Sequence, residues 1–332
     1  MFRNIIKILF MNKLKCAVIG VGYLGRFHAH KYQKLSQDQF HHVELIAVCD
    51  TDKNTCDRVA QELNVVAYYD YRDLCNYVDV VSIVTTTKHH YSIAQYCLKH
   101  GIHVLLEKPM TETVAQADEL IWLAEQYQIK LQIGHLERFN AARIALIPYL
   151  NNPLFIESKR LAPFNVRGTD VNVIFDLMIH DIDIIQTIVN APIVNIDAHG
   201  TKVLTSSFDV AIVHLTFANN TVANISASRV SHKVERVTYI YQQDSYIAVD
   251  YFQKKLSVFQ KINSDIYPGI ANIQPEEHVF IDCDAILEEI KAFILCIIND
   301  TQPLVTAIDG RNALATAMNI TAQINQNFPA IS

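Results

Sequence analysis

The chain has 332 residues, half of them apolar and 19% charged. At about 150 residues per domain this suits two folded domains with sizeable cores and excludes a disordered chain. Its 28 Lys and Arg are outnumbered by 34 Asp and Glu, so the net charge of -6 argues against a protein held to nucleic acid through phosphates. Seven cysteines without a C-x-x-C pair argue against a zinc ribbon or a disulfide framework and fit free thiols in a reducing cytoplasm. No apolar run reaches the roughly 18 residues of a membrane span, so no membrane association is expected.

Residues 1–11 read as an upstream start or a short tail. Lys7 interrupts the apolar stretch and no small-residue cleavage site follows it, unlike a targeting segment. Over 12–135, strands expected at 16–20, 43–49, 65–68, 78–85, 103–106 and 129–133 alternate with helices at 22–35, 53–63, 91–99 and 114–127. Continuous apolar strands between helices predict a parallel sheet covered on both faces, the doubly wound α/β class. Over 136–332 the texture changes. Helices at 140–150 and 171–189 precede strands at 194–203, 208–217, 221–230, 235–241, 246–249 and 255–259, and helices at 283–298 and 307–325 close the chain. This predicts an α+β domain on a mostly antiparallel open sheet, with Asn219-Asn220 as a hairpin turn. Ala211, Val213, Leu215 and Phe217 share one strand face, which could pack on the domain's own helices or on a twin subunit.

Gly20-Val21-Gly22-Tyr23-Leu24-Gly25 is G-x-G-x-x-G between the first strand and the first helix. The first glycine allows the tight turn, the second the approach of a pyrophosphate, and the third close packing of helix on strand. Asp50 ends the second strand, where a carboxylate would bond ribose hydroxyls and repel a 2′-phosphate. Thr51-Asp52 adds no arginine, so NAD is favoured over NADP. Glu107-Lys108-Pro109 follows the fifth strand at the carboxyl edge of the sheet, where ligands of doubly wound folds bind; a charged turn closing the strand is the other reading.

The segment 174–185 (IFDLMIHDIDII) is a very apolar helix carrying Asp176, His180, Asp181 and Asp183. Asp176 and His180 stand at i and i+4 on one face, with Asp183 a turn further. A carboxylate and an imidazole in so apolar a helix must either pair with each other or serve a site. No third and fourth metal ligand stands at a recognisable spacing, so no metal is expected.

Taken together, GVGYLG with Asp50, VDVVSIVTTTKHH, EKPM and DLMIHDID resemble the glucose–fructose oxidoreductase / inositol dehydrogenase (Gfo/Idh/MocA) family in order and spacing, from Lys15 to about Asn325. The resemblance implies a Rossmann domain, an open-sheet substrate domain often used for homo-oligomer contacts, and NAD(P)-dependent oxidation of sugar or cyclitol hydroxyls. It makes Lys108, Asp176 and His180 the catalytic residues, with His180 as general base, Asp176 orienting it or binding a hydroxyl, and Lys108 stabilising the developing alkoxide. It assigns Gly20, Gly22, Tyr23, Leu24, Gly25, Asp50, Thr85, His90, Glu107 and Lys108 to the cofactor. Three departures bear on substrate shape: Met178 replaces a glycine, Thr85-Thr86 replaces Thr-Pro, and Asn172-Val173 replaces Gly-Gly. Arg138, Arg160 and Arg167, with Asp183, are candidates for substrate contact, since arginine suits phosphate or carboxylate; solvated surface arginines are the plainer reading. The blocks GHLERFN and RGTDVNVIFDLMIHDID look most like the subgroup acting at the 3-hydroxyl of UDP-N-acetylglucosamine for amino-sugar and lipid A synthesis. A free sugar or cyclitol, and a non-catalytic dinucleotide-binding regulator, remain the alternatives.

Overall fold

The computed structural model describes residues 13–38, 40, 42–166 and 171–327; the tail expected over 1–11 lies outside the described residues. The chain divides into two units, Met1–Leu136 with Ile286–Arg311 and Glu137–Ala285 with Asn312–Ser332. A single division after residue 135 therefore does not capture the return of Ile286–Arg311 to the first unit.

In the first unit, β1 (Leu14–Ile19), α1 (Tyr23–Gln37), β2 (Val43–Cys49), α2 (Lys53–Leu63), β3 (Val66–Tyr68), α3 (Tyr71–Leu74), β4 (Val80–Ile83), α4 (Thr87–Lys99), β5 (His103–Glu107), α5 (Val114–Gln126) and β6 (Leu131–Gly134) alternate as expected. All six strands are parallel, in the order β3-β2-β1-β4-β5-β6. The chain reverses its winding between β1 and β4, and such a switch point opens a crevice at the carboxyl ends of those strands. Local chemistry sets the helix ends. Asp52 accepts the Asn54 N–H to start α2, Asn64 stops it in the left-handed region at φ 53°, and Thr113 with Gln116 forms a capping box on α5. Every residue of β4 and β6 is buried, as continuous apolar runs predict for a sheet covered on both faces. Ile290, Phe293 and Ile294 of α8 (Ala285–Asn299) complete the core over Cys16, Val18 and Val43.

The second unit carries α6 (Ala141–Leu146), β7 (Phe155–Leu161), α7 (Ile179–Val189), β8 (Ile193–Thr201), β9 (Val210–Phe217), β10 (Val222–Ser228), β11 (Glu235–Tyr241), β12 (Ser245–Asp250), β13 (Lys255–Tyr267), β14 (Ile270–Val279) and most of α9 (Ala307–Asn327). Its eight strands run β14-β13-β12-β11-β7-β10-β9-β8, antiparallel except for the β7–β10 pair. Two strands escape the sequence reading. β7 (FIESKRL) mixes three charges into seven residues, and β14 carries Pro275 with acidic neighbours, tolerable because β14 is an edge strand. Asn220 has φ 67° in the expected turn between β9 and β10. Ala211, Val213, Leu215 and Phe217 pack into the unit's own core with Ile182, Ile185, Ile320 and Ile324, and it is Ile212 and His214 on the opposite face that are exposed. The helix expected over 171–189 is also corrected: Ile174–Met178 forms a π turn, and regular α-helix begins only at Ile179.

Inside this core Asp181 is wholly buried. Arg160 of β7 donates to it through Nε at 2.7 Å and Nη2 at 3.2 Å, and Ser158 Oγ donates at 2.9 Å. The remaining guanidinium nitrogen, Nη1, donates to Glu137 at 2.8 Å. Burial opposes the arginine's charge, but Asp181 and Glu137 hold it protonated above its ordinary range. Arg160→Met would strand the Asp181 carboxylate in the core, a loss of about 3–5 kcal/mol. Denaturant unfolding should register it, and Asp181→Asn in the same background should recover part of it.

Candidate active site

The glycine-rich turn between β1 and α1 is built as the motif requires. Gly20 adopts φ +85°, and a Cβ there would stand 2.6 Å from the Val84 carbonyl oxygen; on Gly25 it would stand 1.8 Å from the Gly20 carbonyl oxygen. Neither position accepts a side chain. A Cβ on Gly22 would meet nothing within 4 Å, so the second glycine faces open space. Helix α1 starts there with no side-chain cap and no acidic residue in its first turn, leaving its positive end and first N–H groups for an anion. Tyr23 is exposed, with its ring edge-on to Phe27, and Leu24 is half-buried.

A cleft of about 590 Å³ opens beside this turn, lined by Gly20, Gly22, Asp50, Thr51, Arg72 and Thr85 among others. The Asp50 carboxylate accepts the Val21 N–H at 2.8 Å and the Asp52 N–H at 2.9 Å, so it braces the turn and still has lone pairs for ribose hydroxyls. Open space at Gly22, an uncapped helix end and a carboxylate ending β2 fit a dinucleotide. Arg72 brings to the same cleft a guanidinium that the residues next to Asp50 do not supply, but Asp70 holds it through paired contacts at 2.9 and 3.0 Å.

At the end of β5, Glu107 is buried and accepts the Lys108 N–H at 3.2 Å, and the Lys108–Pro109 peptide is cis. His90 is buried, with Nδ1 2.8 Å from the Pro109 carbonyl and Nε2 3.0 Å from the Thr85 carbonyl, so it ties the end of β4 to the Lys-Pro turn. Burial pushes its pKa down, against the pull of the two carbonyls. Of the expected residues in the first unit, Gly20, Gly22, Asp50 and Thr85 line the cleft, while His90 and Glu107 contact the Lys108-Pro109 turn.

In the second unit, Asn172 caps the π turn by accepting the N–H groups of Ile174 and Phe175. Arg229 donates to the Val171 carbonyl at 2.8 Å and to Asp209 at 2.8 Å, anchoring the chain just upstream. Val173, Ile174, Met178 and Ile179 are fully buried, whereas Asp176 and His180 are half-buried, so the segment keeps these two ionisable groups at the surface of the unit. Met178, in place of the family's glycine, fills the core. Arg138, half-buried, clamps the buried Asp183 with two bonds, Nε at 2.7 Å and Nη2 at 2.8 Å. Arg138 and Arg160 are therefore ion-paired structural cations rather than solvated ones, and Arg167 lies outside the described residues.

Sequence reading passed over Asp181, Glu137, His28 and Glu289. Asp181 could have been suspected, as a charge in an isoleucine-rich helix. His28, Glu107 and Glu289 are, among the described residues, the one His/Cys/Asp/Glu group with its ligand atoms within 4.8 Å of one another, and nothing local signals it. Gly25→Ala is expected to lower the melting temperature, through overpacking on the order of 1–3 kcal/mol. Gly22→Ala should leave the melt in place and weaken dinucleotide binding on the order of tenfold, because a methyl enters the open space. Thermal melts beside NADH fluorescence titrations separate the two.

Residues 14–135 match the model of an oxidoreductase family with an NAD-binding Rossmann fold, and residues 158–246 match the GFO/IDH/MocA C-terminal domain. A UDP-N-acetylglucosamine 3-dehydrogenase of Acidithiobacillus ferrooxidans is 36% identical over 315 residues, covering 93% of this chain and 97% of that protein. A solved structure of that enzyme matches with a TM-score of 0.87 at 34% identity, over 95% of this chain and 99% of the other. A scyllo-inositol 2-dehydrogenase (NAD+) of Bacillus subtilis is 24% identical over 96% of each chain. Among the described residues no helix is long and apolar enough to cross a membrane. The chain belongs to the Gfo/Idh/MocA family of NAD-binding oxidoreductases.

Proposed function

We propose that the protein oxidises a secondary hydroxyl of a nucleotide sugar, the 3-hydroxyl of UDP-N-acetylglucosamine, to the ketone with NAD. The observation that carries this is the near full-length 36% identity to an enzyme named for that reaction. It is joined by the π turn beside which Asp176 and His180 stay half-buried while Ile174, Met178 and Ile179 are fully buried, a kind of turn frequent at functional sites. The cleft beside Gly20, Gly22 and Asp50 would hold NAD, which would supply the hydride acceptor for the carbinol carbon. His180 takes the hydroxyl proton as general base, the role imidazole most often fills in proton transfer. Asp176 orients that imidazole or holds a neighbouring hydroxyl. Lys108 donates to the reacting oxygen and stabilises its developing charge. Arg138, Arg160 and Asp183 serve the substrate indirectly, by fixing the helix that carries His180. Preference for NAD over NADP rests on Asp50 and on the engagement of Arg72 with Asp70, which leaves a 2′-phosphate facing a carboxylate.

We also propose a homo-oligomer, through the face of the second sheet turned away from its core. Phe155, Tyr239, Tyr241, Tyr246 and Phe259 form a ladder of ring contacts there, with centroids 5.2 to 6.2 Å apart. Light scattering should return a multiple of the 37.7 kDa chain, and Tyr246→Glu should lower it.

NADH formation with a ketone trap at mildly alkaline pH tests the reaction. Turnover is expected with UDP-N-acetylglucosamine and NAD, and much less with NADP, inositol or glucose. Turnover confined to a free polyol would replace the substrate. His180→Ala and Lys108→Ala should each lower kcat on the order of 100-fold or more with NADH affinity retained; unchanged kcat in both would remove the assignment.

A further inference from the structure

His28 of α1, Glu107 of β5 and Glu289 of α8 meet inside the first unit, with Glu289 and His28 at 0% exposure and Glu107 at 7%. Neither carboxylate oxygen of Glu289 has a hydrogen-bond partner, and neither does His28 Nδ1. Gln132 of β6 donates to the Glu289 backbone carbonyl at 3.4 Å, leaving its own Oε1 without a partner. Two carboxylates this close, out of water, do not both ionise. Their surroundings decide which one keeps the proton. Glu107 stands 3.3 Å from His28 Nε2, accepts the Lys108 N–H and feels the Lys108 charge, whereas among the described residues neither oxygen of Glu289 accepts a hydrogen bond.

We propose that Glu289 is a neutral carboxylic acid that holds the proton of this trio, and that by doing so it keeps Glu107 ionised and thereby positions Lys108. The role rests on the reading of Lys108 as the group that meets the reacting oxygen. The directions of titration agree with the geometry. Burial and then the Glu107 charge push Glu289 well above the usual carboxylate range. Glu107 lies below its ordinary value because contact with His28 and the Lys108 charge outweigh burial. The other groups near the trio do not supply a competing charge. Tyr32 shares a 3.0 Å hydroxyl bond with Ser82 and is pushed well up by burial, and so is the Cys16 thiol of β1.

Each carboxylate is changed to its neutral amide in the full chain. Glu289→Gln keeps both shape and neutrality, whereas Glu107→Gln removes the charge beside Lys108. The loss in kcat is expected to be at least about tenfold larger in Glu107→Gln than in Glu289→Gln, a difference of about 1.4 kcal/mol in barrier. Infrared spectroscopy should find, in the wild-type protein, a protonated carboxyl C=O band that Glu289→Gln removes and Lys108→Ala retains. Should Glu107→Gln fail to fold, this band still decides. Equal losses in the two amide variants, absence of the band, or one bound metal ion per chain lost with Glu289→Gln would overturn the inference. A fully active Lys108→Ala that keeps the band would instead remove the catalytic reading and leave the proton on Glu289.

Discussion

Asp181 and Asp183 lie on α7 among isoleucines with at most 2% exposure, and an ionised carboxylate in such a place is strongly destabilising unless a cation comes with it. Each has one: Arg160 from β7 for Asp181 and Arg138 from the 3-10 turn Leu136–Phe139 for Asp183. Both pairings use two guanidinium nitrogens, which fixes angle as well as distance. Two carboxylates two residues apart are thereby tied to two different segments, and the helix between them can neither roll nor slide without breaking a buried pair. Upstream, Asn172 caps the π turn and Arg229 holds the Val171 carbonyl. These anchors hold the stretch of backbone that carries Asp176 and His180.

The same constraint governs the first unit. β5 ends in a glutamate that points inward over Gly134, where a Cβ would stand 2.8 Å from Glu107 Oε1, so a side chain on the last residue of β6 would displace that carboxylate. A buried carboxylate at that position needs polar partners, and His28 Nε2 at 3.3 Å and the Lys108 N–H at 3.2 Å stand beside it. The turn that carries Lys108 is further tied through Pro109 to His90 and from there to Thr85 at the end of β4. A lysine expected to act at one atom is thus carried on a backbone tied to the ends of two strands, β4 and β5.

Much of the first unit is legible in the sequence because its signals are local. Continuous apolar runs mark β1, β2 and β4, caps such as Asp52 and Asn64 mark helix ends, and three glycines within six residues mark the turn. What is not legible is pairing across the chain. Arg160 and Asp181 are 21 residues apart, and Arg138 and Asp183 are 45 apart. Seen without its partner, an arginine in this region suggests a ligand for phosphate, and only the fold reveals that its charge is already spoken for. β7 hides for a related reason: its inward-facing Ser158 and Arg160 are polar, so the alternation that marks a half-buried strand is disguised by residues that bury as partners of Asp181.

The π turn hides for a different reason. In a regular helix the buried stripe repeats every three or four residues. Here the buried pairs Val173-Ile174 and Met178-Ile179 are five apart, and three half-buried residues in succession, Phe175, Asp176 and Leu177, separate them. Past Ile179 the ordinary spacing resumes with Ile182 and Ile185. One inserted residue turns everything downstream by about 100° relative to an uninterrupted helix of 3.6 residues per turn. Because nearly every position from Ile174 to Ile185 is apolar apart from its four ionisable residues, the sequence pattern has no phase from which the extra residue could be counted. The i, i+4 argument for Asp176 and His180 therefore starts from a regular helix that the protein does not form there.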